Sequence, residues 1–394
     1  MPRRLRLPAT LVAALIVAEA AVLLLRPRER YPVEQAEPRD YFSADELKKA
    51  NRFRSGQLWL FGARSAVDFA VVAAAVRFAP PAGRRPVLTG AATAVGMTLA
   101  STAATLPLRA AARQRAKNVG LVTQSWRGWA VDVLKATAIG SAFAAAGGAA
   151  LVYGQQRFGR AWWAPGAAAV TGFAVVITYL GPVVLDPVFN KFTPLPDGET
   201  RSDVLDLARR AGVDVGEVYS VDASRRTTAA NAYVAGLGRT KRVVLFDTLL
   251  KHFTPAETRL VVAHELGHVR YRDVPHGLLW AALVAPFGTL AVARAGERLT
   301  RDGATPVPAV AFALALLAPA VTAISNQLSR AIERRADAFA LAMTNEPEAM
   351  VGFERRITLK NVGHPDPPRW QMLLFGTHPS TMERIGQALA TKVT

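Results

Sequence analysis

Seven apolar runs, cut apart by charged connections, decide most of what this chain can fold into. Five precede residue 186, at about Leu7–Leu25, Leu58–Phe78, Val87–Leu108, Val133–Val152 and Trp163–Leu185. Each is close to the roughly 20 residues an α-helix needs to cross the hydrocarbon layer of a bilayer. Two more follow, at about Gly277–Val292 and Pro306–Ile324. The first of these is short and carries Pro286, so it fits a buried helix as well as a span. The run at Leu7–Leu25 follows Arg3, Arg4 and Arg6 as a secretory signal would, but its length reads as an uncleaved anchor.

The residues inside the runs refine this reading. Glu19 is costly in lipid and is expected to face protein or water. Arg64 and Asp68 lie at helical spacing, which predicts an ion pair on an inward face. Spans three to five are rich in Ala, Gly, Ser and Thr, which lets helices approach closely in lipid. Trp126, Trp129, Trp162 and Trp163 sit where an interfacial belt would hold them. Ser43-Ala-Asp-Glu46 has the form of a capping box and starts a helix running toward the second span.

A net charge of +18 would suggest nucleic acid in a soluble protein, but here the arginines flank apolar runs without interleaved aromatics. That is the pattern of a membrane surface, so the bilayer is the expected partner and nucleic acid is not. With the N-terminus outside, the inner connections hold eight (Arg26–Gly56), five (Arg109–Trp129) and thirteen (Asp186–Asp273) Lys and Arg. Outer segments hold fewer, which places Asp186–Asp273 on the cytoplasmic side. The chain has no cysteine, so any metal must be held by His, Asp or Glu. An alanine- and arginine-rich composition points to a bacterial plasma membrane.

Between spans five and six the character changes to a small α+β unit. Ser202–Arg210 has a helical pattern, Val215–Asp222, Asn231–Gly238 and Val243–Phe246 read as strands, and Pro255–Arg272 reads as a helix. Ser325–Met343 is a long helical stretch, and the C-terminal part ends in a helix after His378-Pro-Ser380. Two regions follow: residues 1–185 with five spans, and residues 186–394 with the α+β unit and two further hydrophobic helices. His252 and His276 read as exposed helix ends, and His364 as part of a solvent-facing loop.

Within Pro255–Arg272 lies His264-Glu265-Leu266-Gly267-His268. Histidines four apart share one helix face, with Cβ atoms roughly 5–6 Å apart, so both imidazoles can reach one ion. Glu265 lies beside them to handle a water molecule, which is the HExxH signature of zinc peptidases. Two histidines do not complete a site, since catalytic zinc takes three protein ligands and an open position. A HExxHxxGxxH extension is excluded, because Tyr271 and Val274 occupy its last two specified positions. A carboxylate from another helix is the alternative. Glu333 is the best candidate, with Asp337 four residues on to accept from a histidine's other nitrogen. On spacing alone, a solvated salt-bridge helix explains that stretch equally well.

Taken together, these pieces resemble the type I CAAX prenyl protease family of membrane zinc metallopeptidases. The resemblance rests on the HELGH segment, on Glu333-x-x-x-Asp337 inside Ser329-Arg-x-x-Glu-x-x-Ala-Asp-Ala-Phe339, and on His378-Pro-Ser380 followed by Glu383-Arg384-Ile385. Phe189–Leu195, Asn231–Gly236 and Tyr41-Phe-Ser43 are also similar. The resemblance implies seven transmembrane helices around a chamber. It implies one zinc ion held by His264, His268 and Glu333, Glu265 as catalytic base, and Asp337 as a supporting acid. His378 and Arg384 match residues beside the cleft that hold substrate or oxyanion. Asn231, Ala232, Tyr233, Val234, Ala235 and Gly236 match an edge strand that pairs with an extended peptide. The expected activity is hydrolysis of a peptide or protein substrate. Two other readings stand beside it: a heat-shock-type quality-control peptidase with fewer spans, and a non-catalytic chamber that binds lipid or peptide.

Overall fold

The computed structural model describes residues 6–236, 238 and 241–391. Arg3, Arg4 and Leu237 lie outside the described residues. In chain order the elements begin with α1 (Arg6–Leu25), α2 (Pro38–Tyr41), α3 (Ala44–Arg77), α4 (Pro86–Asn118), α5 (Trp126–Phe158) and α6 (Trp163–Val184). The α+β unit follows with α7 (Asp186–Phe189), β1 (Phe192–Pro194), α8 (Glu199–Arg210), β2 (Glu217–Val221), β3 (Ala232–Ala235), β4 (Arg242–Phe246), α9 (Asp247–His252) and α10 (Pro255–Arg270). Two long helices, α11 (Asp273–Leu299) and α12 (Val307–Thr344), return to the membrane before α13 (Pro347–Lys360), α14 (Arg369–Phe375) and α15 (Thr381–Thr391).

Among the described residues, seven helices are long and apolar enough to cross a membrane: α1, α3, α4, α5, α6, α11 and α12. Large apolar side chains such as Ile16, Leu88, Leu134, Val170 and Phe173 point outward, as a lipid environment requires. The helices extend past their apolar runs. α3 starts at the Ser43 capping box, where the hydroxyl accepts from the Glu46 amide and the Glu46 carboxylate accepts from the Ser43 amide. Pro286 does not end α11, which is 27 residues long with the proline inside it, so the helix that carries Gly277–Val292 has the length of a span rather than of a short buried helix.

Small residues set the packing of α4 on α5. A Cβ on Gly148 would lie 2.6 Å from the Gly90 carbonyl oxygen, so the two backbones meet with no room for a side chain. Glu19 accepts a hydrogen bond from Gln327 of α12 at 3.0 Å and so faces protein. Arg64 and Asp68 form no ion pair with each other. The Arg64 guanidinium instead lies over the Phe61 ring, 5.5 Å from its centroid. A cation over a π face needs no buried partner of opposite charge, which is the physical reason the expected pair is dispensable.

The sheet has the order β1-β2-β4-β3, with β2 and β4 parallel and both outer pairs antiparallel. β1 escapes the sequence pattern because it is three residues long and ends at Pro194. Val218, Val243 and Leu245 from the sheet pack with Leu260, Val262 and Leu266 of α10 and with Ala340, Leu341, Met350, Phe353 and Ala388 of α12, α13 and α15. The unit between spans five and six is thus completed by the C-terminal helices. Arg226 clamps it to the membrane helices through Asp132 of α5, at 2.9 and 3.1 Å.

Candidate active site

α10 enters the core because its first turn is fixed and its apolar residues are continuous. Thr254 and Glu257 form a reciprocal capping box, and Leu260, Val261, Val262, Ala263 and Leu266 are buried. α12 crosses against it at the motif's own glycine. A Cβ on Gly267 would lie 3.1 Å from the Phe339 ring, so a larger residue would push the two helices apart. This close crossing brings Glu333 and Asp337 opposite the histidines.

The Nε2 atoms of His264 and His268 are 3.1 Å apart. Glu333 reaches them with Oε2 at 3.2 Å from His264 and Oε1 at 3.7 Å from His268. One donor atom from each of the three residues lies within 4.8 Å of the others, a spacing that one metal ion can bridge. Oε2 of Glu333 is buried and out of line for a hydrogen bond to the nearby imidazole, so it lacks a donor. Two imidazole nitrogens and a carboxylate oxygen that needs a positive partner are a donor set that suits a divalent metal ion.

The other ring nitrogens are held from behind. Nδ1 of His264 lies 2.8 Å from Oδ1 of Asp337, and Nδ1 of His268 lies 2.9 Å from Oδ2 of Asp273. These contacts fix the rings so that both Nε2 atoms face Glu333. Asp273 is itself held by Arg335, whose guanidinium stacks on Tyr271 at 4.3 Å from the ring centroid. Asp337 is fully buried and is gripped by Arg384, with Nε and Nη2 donating at 2.8 and 2.6 Å. The third nitrogen, Nη1, meets the buried Glu354 at 2.5 Å. All three nitrogens of Arg384 are therefore committed to carboxylates, which leaves its guanidinium to position Asp337.

Asp273, Arg335 and Glu354 form part of the site, and the sequence reading passed over all three. Asp273 and Arg335 carry signals in hindsight, as acid and base next to the two motifs. Glu354 carries none, sitting in an ordinary amphipathic helix 21 positions after Glu333.

Burial disfavours charge on His264, but the hydrogen bond to Asp337 and the Glu333 carboxylate 3.2 Å away outweigh it and push the metal-free imidazole up to about 10. Burial raises Glu265 above the usual carboxylate range, opposed by the two histidines. Glu354 is pushed up by burial to about 7, with Arg384 pulling the other way.

Two cavities meet at Glu265. One, of about 960 Å³, runs toward the membrane between α6, α11 and α12, with Tyr233–Gly236 of the sheet edge and His268 and Glu333 on its wall. The other, of about 550 Å³, lies on the catalytic-unit side and takes in Asn231, His264, His364, His378 and Arg384. His378 stands 3.4 Å from Glu333 through Nε2 with its side chain 59% exposed. His364 lines this second cavity and is partly buried, not solvent-facing as its loop sequence suggested, because α13 and α15 fold over the loop. β3 is an outer strand of the sheet, with Asn231 just ahead of it.

Both parts of the chain match known families. The model described as Peptidase family M48 matches residues 194–392, and that described as CAAX prenyl protease N-terminal, five membrane helices, matches residues 39–191. "Uncharacterized metalloprotease YhfN" of Bacillus subtilis is 31% identical over 303 residues, covering 74% of this chain and 71% of that protein. "CAAX prenyl protease 1 homolog" of Arabidopsis thaliana is 33% identical over 180 residues, 43% of this chain and 42% of that protein. The crystal structure of S. mikatae Ste24p superposes with a TM-score of 0.77 at 20% identity, over 98% of this chain and 99% of that one, and so has the same fold.

Proposed function

Because this chain belongs to peptidase family M48 and is a multi-pass membrane metallopeptidase resembling the CAAX prenyl proteases, we propose that His264, His268 and Glu333 hold one zinc ion and that Glu265 is the catalytic base. The observation that carries this reading is the convergence of the three donor atoms within 4.8 Å at the junction of two cavities. Bound zinc supplies Lewis acidity, which polarises the scissile carbonyl and makes water acidic enough to attack near neutral pH.

The chain's own residues do the rest. Glu265 takes the proton of the attacking water and passes it to the leaving amine. Its raised pKa suits it to hold that proton between the two steps. Asp337 and Asp273 orient the ligand imidazoles, Arg384 holds Asp337, and Glu354 pairs with the remaining nitrogen of Arg384. His378, exposed beside Glu333, faces the position where negative charge develops on the carbonyl oxygen and can donate to it.

The substrate is an extended peptide, drawn from the membrane side and laid along β3. The amide of Phe246 donates to the Asn231 carbonyl, and hydrogen-bonded pairs alternate along an antiparallel ladder. Ala232 and Val234 therefore turn their backbone groups to the open edge. Val234→Pro removes one donor and is expected to lower kcat/KM about three- to tenfold, mostly through KM. An unchanged KM would count against strand addition.

Zinc uptake must displace the proton that the two carboxylates hold on His264. Its raised pKa keeps the metal-free imidazole charged near neutral pH, so affinity rises with pH there. Calorimetry in buffers of different ionisation enthalpy is expected to find about one proton released per zinc at pH 7.5; no release would refute the coupling.

The alanine- and arginine-rich composition supports a bacterial plasma membrane, and the balance of Lys and Arg supports the catalytic unit on its cytoplasmic side. Asp197, whose side chain is 97% exposed, is a suitable site for a single introduced cysteine. Labelling of Asp197→Cys from the outside only would reverse this orientation. The activity itself is tested by comparing membrane-protein termini in cells carrying the wild type and Glu265→Gln. Termini present only with the wild type identify substrates; identical sets would argue against proteolysis.

A further inference from the structure

The ends of α3 and α4 on the catalytic side enclose a pocket of about 470 Å³ that shares no lining residue with either cavity at the histidines. Its wall includes Lys48, Lys49, Arg52 and Arg115, with Asp45 as its one carboxylate. Lys48, Lys49 and Arg52 lie within four positions of α3 and are exposed. Among the described residues, none of the four cations has an ion pair, and with one carboxylate against them the pocket carries an excess of positive charge.

Arg115 is built into the pocket. Its Nη2 donates to the Arg52 and Phe53 carbonyl oxygens of α3 at 3.0 and 3.5 Å, while its Nε is buried without a partner. The crossing is possible only because residue 56 is glycine: a Cβ there would lie 2.0 Å from Nη2.

The pocket sits at the level of lipid headgroups. Arg52 precedes the apolar run beginning at Leu58 by six residues, about 9 Å along a helix. The headgroup layer adds roughly 5–8 Å on each face of the hydrocarbon, within reach of long basic side chains. Trp59, seven residues after Arg52 on the same face of α3, is exposed, where acyl chains would lie.

We propose that this pocket binds the phosphate of an anionic phospholipid, with its acyl chains running down the outer faces of α3 and α4. Basic pockets between membrane helices recognise such headgroups through charge. The exposed apolar flank favours a lipid over a free phosphate ion.

Native mass spectrometry of the full chain in detergent, titrated with phosphatidylglycerol or phosphatidylcholine, tests the proposal. The wild type is expected to retain phosphatidylglycerol well after phosphatidylcholine is lost. Lys48→Gln/Lys49→Gln/Arg52→Gln is expected to bind phosphatidylglycerol about a hundredfold more weakly, at roughly fivefold for each charge removed. Gly56→Ala, which displaces Arg115 without changing the charge, is expected to weaken it with the same headgroup preference lost. Zinc content is expected to be unchanged in both variants, which separates a local effect from misfolding. Equal retention of the two lipids, or undiminished phosphatidylglycerol binding in the triple variant, would overturn the proposal. Displacement of phosphatidylglycerol by millimolar inorganic phosphate would overturn the assignment to lipid.

Discussion

Glu265→Gln is expected to lower kcat by about 10²–10⁴-fold while leaving zinc content and the melting temperature close to those of the wild type. A positioned general acid–base contributes a factor of that size, and the amide can neither take nor return a proton. The isosteric change keeps the side chain at the meeting point of the two cavities, so substrate binding is expected to survive. Metal analysis and single-turnover cleavage of a membrane-derived peptide separate the effects. Turnover within tenfold of the wild type would remove Glu265 from the mechanism and leave His378 as the next group to test.

Arg384→Ala is the second large effect, and it acts on stability first. Asp337 has no solvent exposure, and Glu354 is 2% exposed, so removing the guanidinium strands two buried carboxylates. Breaking a buried pair in this way costs about 3–5 kcal/mol. Zinc affinity is expected to fall roughly 10–100-fold as well, because Asp337 no longer holds the His264 ring in one orientation. Arg384→Lys is expected to recover part of the stability but little of the affinity, since an ammonium cannot reproduce the bidentate contact at 2.8 and 2.6 Å. Thermal unfolding and competition with a zinc chelator read the two losses. A melting temperature unchanged in Arg384→Ala would mean the buried network contributes nothing.

The membrane architecture was legible because the signal is long. Roughly twenty apolar residues in a row leave few alternatives, and all seven runs lie within helices of spanning length. Only Gly277–Val292 was ambiguous, since Pro286 reads as a stop yet the chain carries it inside α11. In lipid, neighbouring helices re-satisfy the carbonyl that a proline frees. The HELGH stretch was legible for a related reason: helical spacing fixes which side chains share a face. Glu333 was harder, because its relation to the histidines depends on how two helices cross, and a sequence carries that only indirectly. Glu354 was beyond reach. A carboxylate in an amphipathic helix looks solvated until α13 is seen packed against Arg384. The Arg64–Asp68 pairing failed because helical spacing permits an ion pair but does not require one when an aromatic face is nearer.

The order in which the parts leave the ribosome adds a consequence. Chains fold from the N-terminus as they are made. The histidines of α10 and the carboxylates of α12 are synthesised well before α15, which supplies Arg384. Until α15 docks, Asp337 lacks the cation that makes its burial tolerable, and α13 has nothing to set Glu354 against. The seven spanning helices and the three candidate metal donors therefore all precede the helix that supplies Arg384. The support behind His264 is thus the part of the centre that waits for α15, since Arg384 is what holds Asp337 in place.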